Sequence, residues 1–75
     1  MTSIKKQIKG NFEGFKDTST IFEMIDGSKW QQDEYKYVYS FSFMPQVEII
    51  EELAVFYLKV NALRETVRIK KVFNV

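Results

Sequence analysis

A small antiparallel β-barrel of five or six strands, nearest to the SH3-like class, is the fold predicted for this chain of 75 residues. Three observations point there. Apolar and polar residues alternate with period two over several short segments, as half-buried strands require. β-Branched and aromatic residues crowd those segments, with seven Phe, four Tyr and one Trp in the chain. Glycine, Asp-Gly and proline stand between them, where a chain turns or leaves a sheet. An OB-like barrel is the second arrangement, and an α+β fold with a helix near 48–63 is a third. The length fits one domain over residues 1–75, with no room for a second core.

The first segment is basic and alternating, through Ile4, Lys6 and Ile8, and runs on into Gly10-Asn11-Phe12-Glu13-Gly14-Phe15. Two glycines within a strand predict a bulge or a bend. Polar Lys16-Asp17-Thr18-Ser19 ends the pattern. Thr20 to Ile25 reads as the next strand, and Asp26-Gly27 as a hairpin turn, because glycine accepts the positive φ that such turns need. Lys29 to Gln32 returns. After Asp33-Glu34, Tyr35, Tyr37, Tyr39, Phe41 and Phe43 place a ring at every second position, and Pro45 ends that ladder. The C-terminal third has two readings. Val47 to Ile50, Phe56 to Val60 and Thr66 to Val72 form a meander if they are strands. Ile49, Leu53, Phe56, Val60 and Leu63 form an apolar stripe if the segment is a helix, with Glu48, Glu51 and Glu52 at its start and Lys59 and Arg64 at its end.

Gly10-x-Phe12-x-Gly14-Phe15, Thr20-Ile21-Phe22, Asp26-Gly27-x-x-Trp30-x-Gln32 and Tyr39-x-Phe41-x-Phe43-x-Pro45 together resemble a group of small bacterial modules of unknown function. The likeness spans residues 8 to about 50 and continues weakly into Glu65-Thr66-Val67. It implies an all-β chain, with no activity, cofactor or binding residue attached. The chain departs from that pattern at Glu51-Glu52-Leu53-Ala54, where a glycine-rich hairpin turn is expected.

The absence of Cys and His removes several chemistries. Ser-His-Asp and Cys-His catalysis, histidine general bases and most zinc and iron sites all need one or the other. Carboxylates remain, and Asp33 with Asp26 or Glu23 is the best acid/base pair. Acidic residues beside turns are more often simply solvated, so the expectation is a non-enzyme. Asp26-Gly27 lacks the further oxygen ligands of a calcium loop, and no cofactor is expected. A net charge of +1 supplies no global attraction to nucleic acid or membrane. No apolar run is long enough for a signal-peptide core or a membrane span, so a cytoplasmic protein is expected.

Two surfaces are candidates for function. Phe41 and Phe43, flanked by Ser40 and Ser42, are expected to face the core, because phenylalanine has no polar handle. Tyr35 and Tyr37 are the expected exposed end. With Trp30 on a neighbouring strand they would form an aromatic shelf suited to a protein or peptide partner, or to another copy of the chain. All these rings also suit a core. The second surface is a basic row of Lys59, Arg68 and Lys70, formed if Lys59 lies opposite Arg68. Together with Lys71, Lys5, Lys6 and Lys9 it would make a cationic face, and with the rings it would suit single-stranded nucleic acid. Lysines on edge strands also deter aggregation. The expected function is therefore a non-catalytic interaction module, with nucleic-acid binding as the alternative.

Overall fold

The computed structural model describes residues 2–61 and 63–72. Eight antiparallel strands lie among them: β1 (Thr2–Gln7), β2 (Asn11–Phe15), β3 (Ile21–Glu23), β4 (Lys29–Gln32), β5 (Val38–Phe43), β6 (Gln46–Glu52), β7 (Val55–Val60) and β8 (Thr66–Val72). Six form one sheet in the order β1-β6-β7-β8-β4-β3, and β2 pairs with β5 in a second. The expected all-β antiparallel class holds. Eight segments replace five or six strands because two long runs are each bent once.

The bend is visible in the backbone bonds. β1 pairs with β6 as far as Gln7 opposite Gln46, and β2 pairs with β5 from Asn11 opposite Phe43. Between them the Ile8 amide donates to the Pro45 carbonyl at 3.1 Å and the Met44 amide to the Gly10 carbonyl at 2.8 Å. The β1/β6 and β2/β5 ladders are thus one ribbon folded at Gly10 and Met44. Both corner residues have positive φ, +77° and +47°. A second junction curls the six-stranded sheet. Ile8 and Met24 form a bridge in which the Lys9 amide donates to Glu23 and the Ile25 amide to Gln7, each at 2.9 Å. The two outermost strands of the sheet meet there, and the fold becomes barrel-like at that end.

The interior is filled from both sheets. Ile8, Phe12, Phe15, Phe22, Met24, Trp30, Val47, Ile49, Leu58, Val60, Val67 and Ile69 form the buried cluster. Phe12, Phe15 and Phe22 meet pairwise with centroids 6.0–6.2 Å apart, within the favourable range for aromatic pairs. Phe12 lies opposite Ser42 on the β2/β5 pair. The serine is small where the ring needs room, so β5 turns its hydroxyl side inward and its ring side outward. The expectation that Phe41 and Phe43 enter the core is corrected: both are exposed.

The hairpin from Asp26-Gly27 forms as expected. Asp26 Oδ1 accepts from the Ser28 amide and hydroxyl at 3.0 and 2.7 Å, and Gly27 has φ +90°. The helix near 48–63 is corrected to the β6/β7 hairpin, in which Val47, Ile49, Leu58 and Val60 are buried at period two. Leu53 and Ala54 form its turn, at φ +53° and +66°. No helix is long and apolar enough to cross a membrane among the described residues.

Candidate interaction surface

The rings of Tyr35, Tyr37, Tyr39, Phe41 and Phe43 are all exposed, between 59% and 77%. Their display has two causes. On β5 the phase is set by the pairing of Ser42 with Phe12, which sends Tyr39, Phe41 and Phe43 to the other face. Before β5 the phase is set by Gln32. This side chain is fully buried, and its Oε1 accepts from the Lys16 amide at 2.9 Å. Its Nε2 donates to the carbonyls of Glu34 and Lys36 at 2.9 and 3.0 Å. Both carbonyls are thereby turned inward, and Lys36 Nζ folds back to the Thr66 carbonyl. Tyr35 and Tyr37 are left outside.

The same loop is fastened to β8. The Asp33 amide donates to the Arg68 carbonyl at 2.7 Å, and Arg68 Nε and Nη2 donate to the Asp33 carbonyl at 3.1 and 2.7 Å. Tyr35 and Tyr37 therefore stand on a segment tied to two strands. Sequence reasoning missed Gln32, although a signal existed: period two places it on the same face as buried Trp30.

Trp30 does not join the shelf. It is 6% exposed, and its indole packs on Phe56 with centroids 5.2 Å apart. Its strand, β4, neighbours β3 and β8, not β5. The expected Trp30, Tyr35 and Tyr37 surface is therefore corrected to one built from Tyr35 through Phe43.

The basic row also changes. Tyr57 lies opposite Arg68 and Lys59 opposite Thr66, two residues away from the expected pairing of Lys59 with Arg68. A slip by two keeps every side chain on its own face, so alternation cannot detect it. The observed register sets Phe56 against Ile69. The expected one would set it against Lys71. Lys59 has Glu48 across its other side, Lys70 faces Gln31, and the Arg68 guanidinium is engaged with Asp33. In this register Lys59 and Arg68 are diagonal neighbours rather than a directly opposed pair, with Lys70 two residues along the exposed face of β8.

The carboxylates do not converge either. Asp26 pairs with Lys6, Glu23 with Lys9 at 3.9 Å and Asp33 with Arg68 at 3.6 Å. The length of β4 separates Asp33 from the other two. The Lys6 ammonium and the Ser28 donors hold the Asp26 carboxyl well below the usual carboxylate range. Near Tyr37, a hydrogen bond to the Glu13 carboxylate raises the Lys16 ammonium. No group of three or more acidic residues could hold a metal among the described residues.

Five aromatic side chains of about 150–250 Å² each, exposed to this degree, present roughly 500–850 Å² of ring surface. The largest apolar patch on an ordinary monomer is about 300–600 Å² and is often functional. Comparison with protein-family models, with curated proteins and with solved structures finds no match, so the ring ladder itself carries the functional reading.

Proposed function

We propose that the protein is a non-catalytic interaction module that receives a protein or peptide partner on the outer face of β5. One observation carries this reading: five alternate rings are held in solvent by a hydrogen-bonded scaffold. Desolvated aromatic anchors supply most of the binding energy at protein interfaces. A partner covering Tyr37, Tyr39 and Phe41 would bury them at little ordering cost, because β5 and the Gln32-anchored loop are already fixed.

The test compares Tyr37→Ser and Phe41→Ser with Trp30→Ala as a core control. Partner co-purification from cell extract is quantified by mass spectrometry, and folding is followed by thermal melting. The ring variants are expected to melt within a few degrees of the parent while capture falls roughly tenfold or more. Trp30→Ala is expected to lose about 3–5 kcal/mol of stability. Ring variants that unfold, or that capture the partner as well as the parent does, overturn the reading.

A further inference from the structure

We propose that the occupant of the ladder is a second copy of this chain, stacked face to face through β5 about a two-fold axis. This rests on the ladder being a contact surface and adds the identity of the partner. The first argument is area. A standard interface buries about 800 Å² on each partner, and the ladder's roughly 500–850 Å² reaches that size. A dimer therefore needs little surface beyond the ladder and its margins.

The second argument is charge. From Val38 to Val47 the chain has no acidic or basic residue. Two identical faces of this kind meet without placing like charges opposite each other, the usual obstacle to self-association. The charges that border the ladder are already occupied within the protomer: Glu13 pairs with Lys16 at 2.9 Å and Glu34 with Lys36 at 3.8 Å.

Shape gives the third argument. Alternate side chains on a strand are about 6.6 Å apart, and carbon atoms in contact lie about 3.5–4.0 Å apart. The gap between two rings of the ladder is therefore close to the space that one further ring fills. The surface that supplies rings at that repeat is another ladder. An isologous contact with Tyr39, the middle ring of the five, near the axis sets Tyr37 and Tyr35 of each protomer against Phe41 and Phe43 of the other.

Face stacking is favoured over joining the strands edge to edge. Between the pairs Phe12/Ser42 and Gly14/Tyr39, one β2 residue, Glu13, opposes two β5 residues, Ser40 and Phe41. This bulge distorts the β5 backbone and spoils it as a template for another strand.

The experiment is sedimentation equilibrium on the full chain from about 5 to about 500 µM, at ordinary salt and at about 1 M salt. The mass is expected to rise from 8.9 kDa towards twice that value and level off, without weakening at high salt. Tyr39→Ser and Phe41→Ser are expected to lower the association constant tenfold or more. Amide chemical shifts followed on diluting the unaltered protein locate the contact without any substitution, and are expected to move at 37–43. A parent that stays at 8.9 kDa throughout overturns the proposal, as does a dimer whose contact lies elsewhere or a mass that climbs past twice the monomer. If that monomer still loses a captured partner on Phe41→Ser, the interaction reading stands without the second copy. If capture is also indifferent to the rings, both fall.

Discussion

A buried amide must find a partner for each of its polar atoms, because an unsatisfied one costs about 1–3 kcal/mol. Gln32 meets that demand with three backbone groups, the Lys16 amide and the Glu34 and Lys36 carbonyls, so the side chain and the loop satisfy each other. Gln32→Leu keeps much of the volume but strands the Lys16 amide and the Glu34 and Lys36 carbonyls. Denaturant unfolding should show a loss of roughly 2–4 kcal/mol, and the amide resonances of 33–37 should shift or broaden. A leucine variant as stable as the parent would show that water replaces the amide without cost. Gly14 is a second residue with no substitute. It has φ +107°, and a Cβ there would lie 1.9 Å from the Val38 carbonyl oxygen. Any side chain would force β2 away from β5. At this scale the sequence shows the alternation of the ladder clearly. It does not show the phase, because exchanging rings for serines on the inner face is a choice made by Phe12 across the ladder.

Among the elements, the β6/β7 hairpin shows why two readings of one segment competed. Its turn uses two left-handed residues in succession, a conformation for which Asn-Gly is the preferred pair. Leu53 and Ala54 occupy it instead, and Leu53 is 92% exposed. Without a glycine to mark the turn, the apolar residues on either side also fit a helical stripe. Cross-strand burial decides for strands, since Ile49 opposite Leu58 and Val47 opposite Val60 put four apolar side chains into the core at once. The left-handed conformation costs a non-glycine residue about 1–2 kcal/mol. The double substitution Leu53→Asn, Ala54→Gly should therefore stabilise the domain by about 1–2 kcal/mol, read as a higher melting temperature. A neutral or destabilising result would mean that the Leu53 side chain contributes something that its exposure does not reveal. The β3/β4 hairpin, marked by Asp26-Gly27, was legible from the start for the converse reason.

For the whole molecule, the Ile8/Met24 junction is where the curled sheet meets itself, and the Lys6 to Asp26 ion pair spans it from β1 to the β3/β4 turn. The Asp26 carboxyl is depressed in the folded state by Lys6 and Ser28, so folding favours its charged form. Its contribution is fully present above the unfolded value of about 4 and is lost as pH falls from there through the lower folded value. Asp26→Asn should thus be less stable than the parent at neutral pH, and the difference should shrink as pH falls below about 4. A difference that stays constant down to about pH 2 would show that the carboxylate charge plays no part. The class of fold was readable because period-two burial governs nearly every segment. The glycine marked the bend at Gly10, but the matching corner at Met44 and the junction at Ile8 were not readable, because they are set by contacts between residues far apart in the chain.

The outward ladder also bears on how much of this protein a cell can hold. Val38 to Phe43 has high β-propensity, no charge and no proline, which is the composition of segments that stack into cross-β fibrils. In most folds such a stretch is hidden once the chain has folded, and the hazard ends there. Here the native state leaves its rings in solvent, so folding alone does not remove it. Under the proposed function, a partner covering β5 would protect solubility as well as gain affinity, and the amount of free protein that stays dispersed would be tied to the amount of that partner.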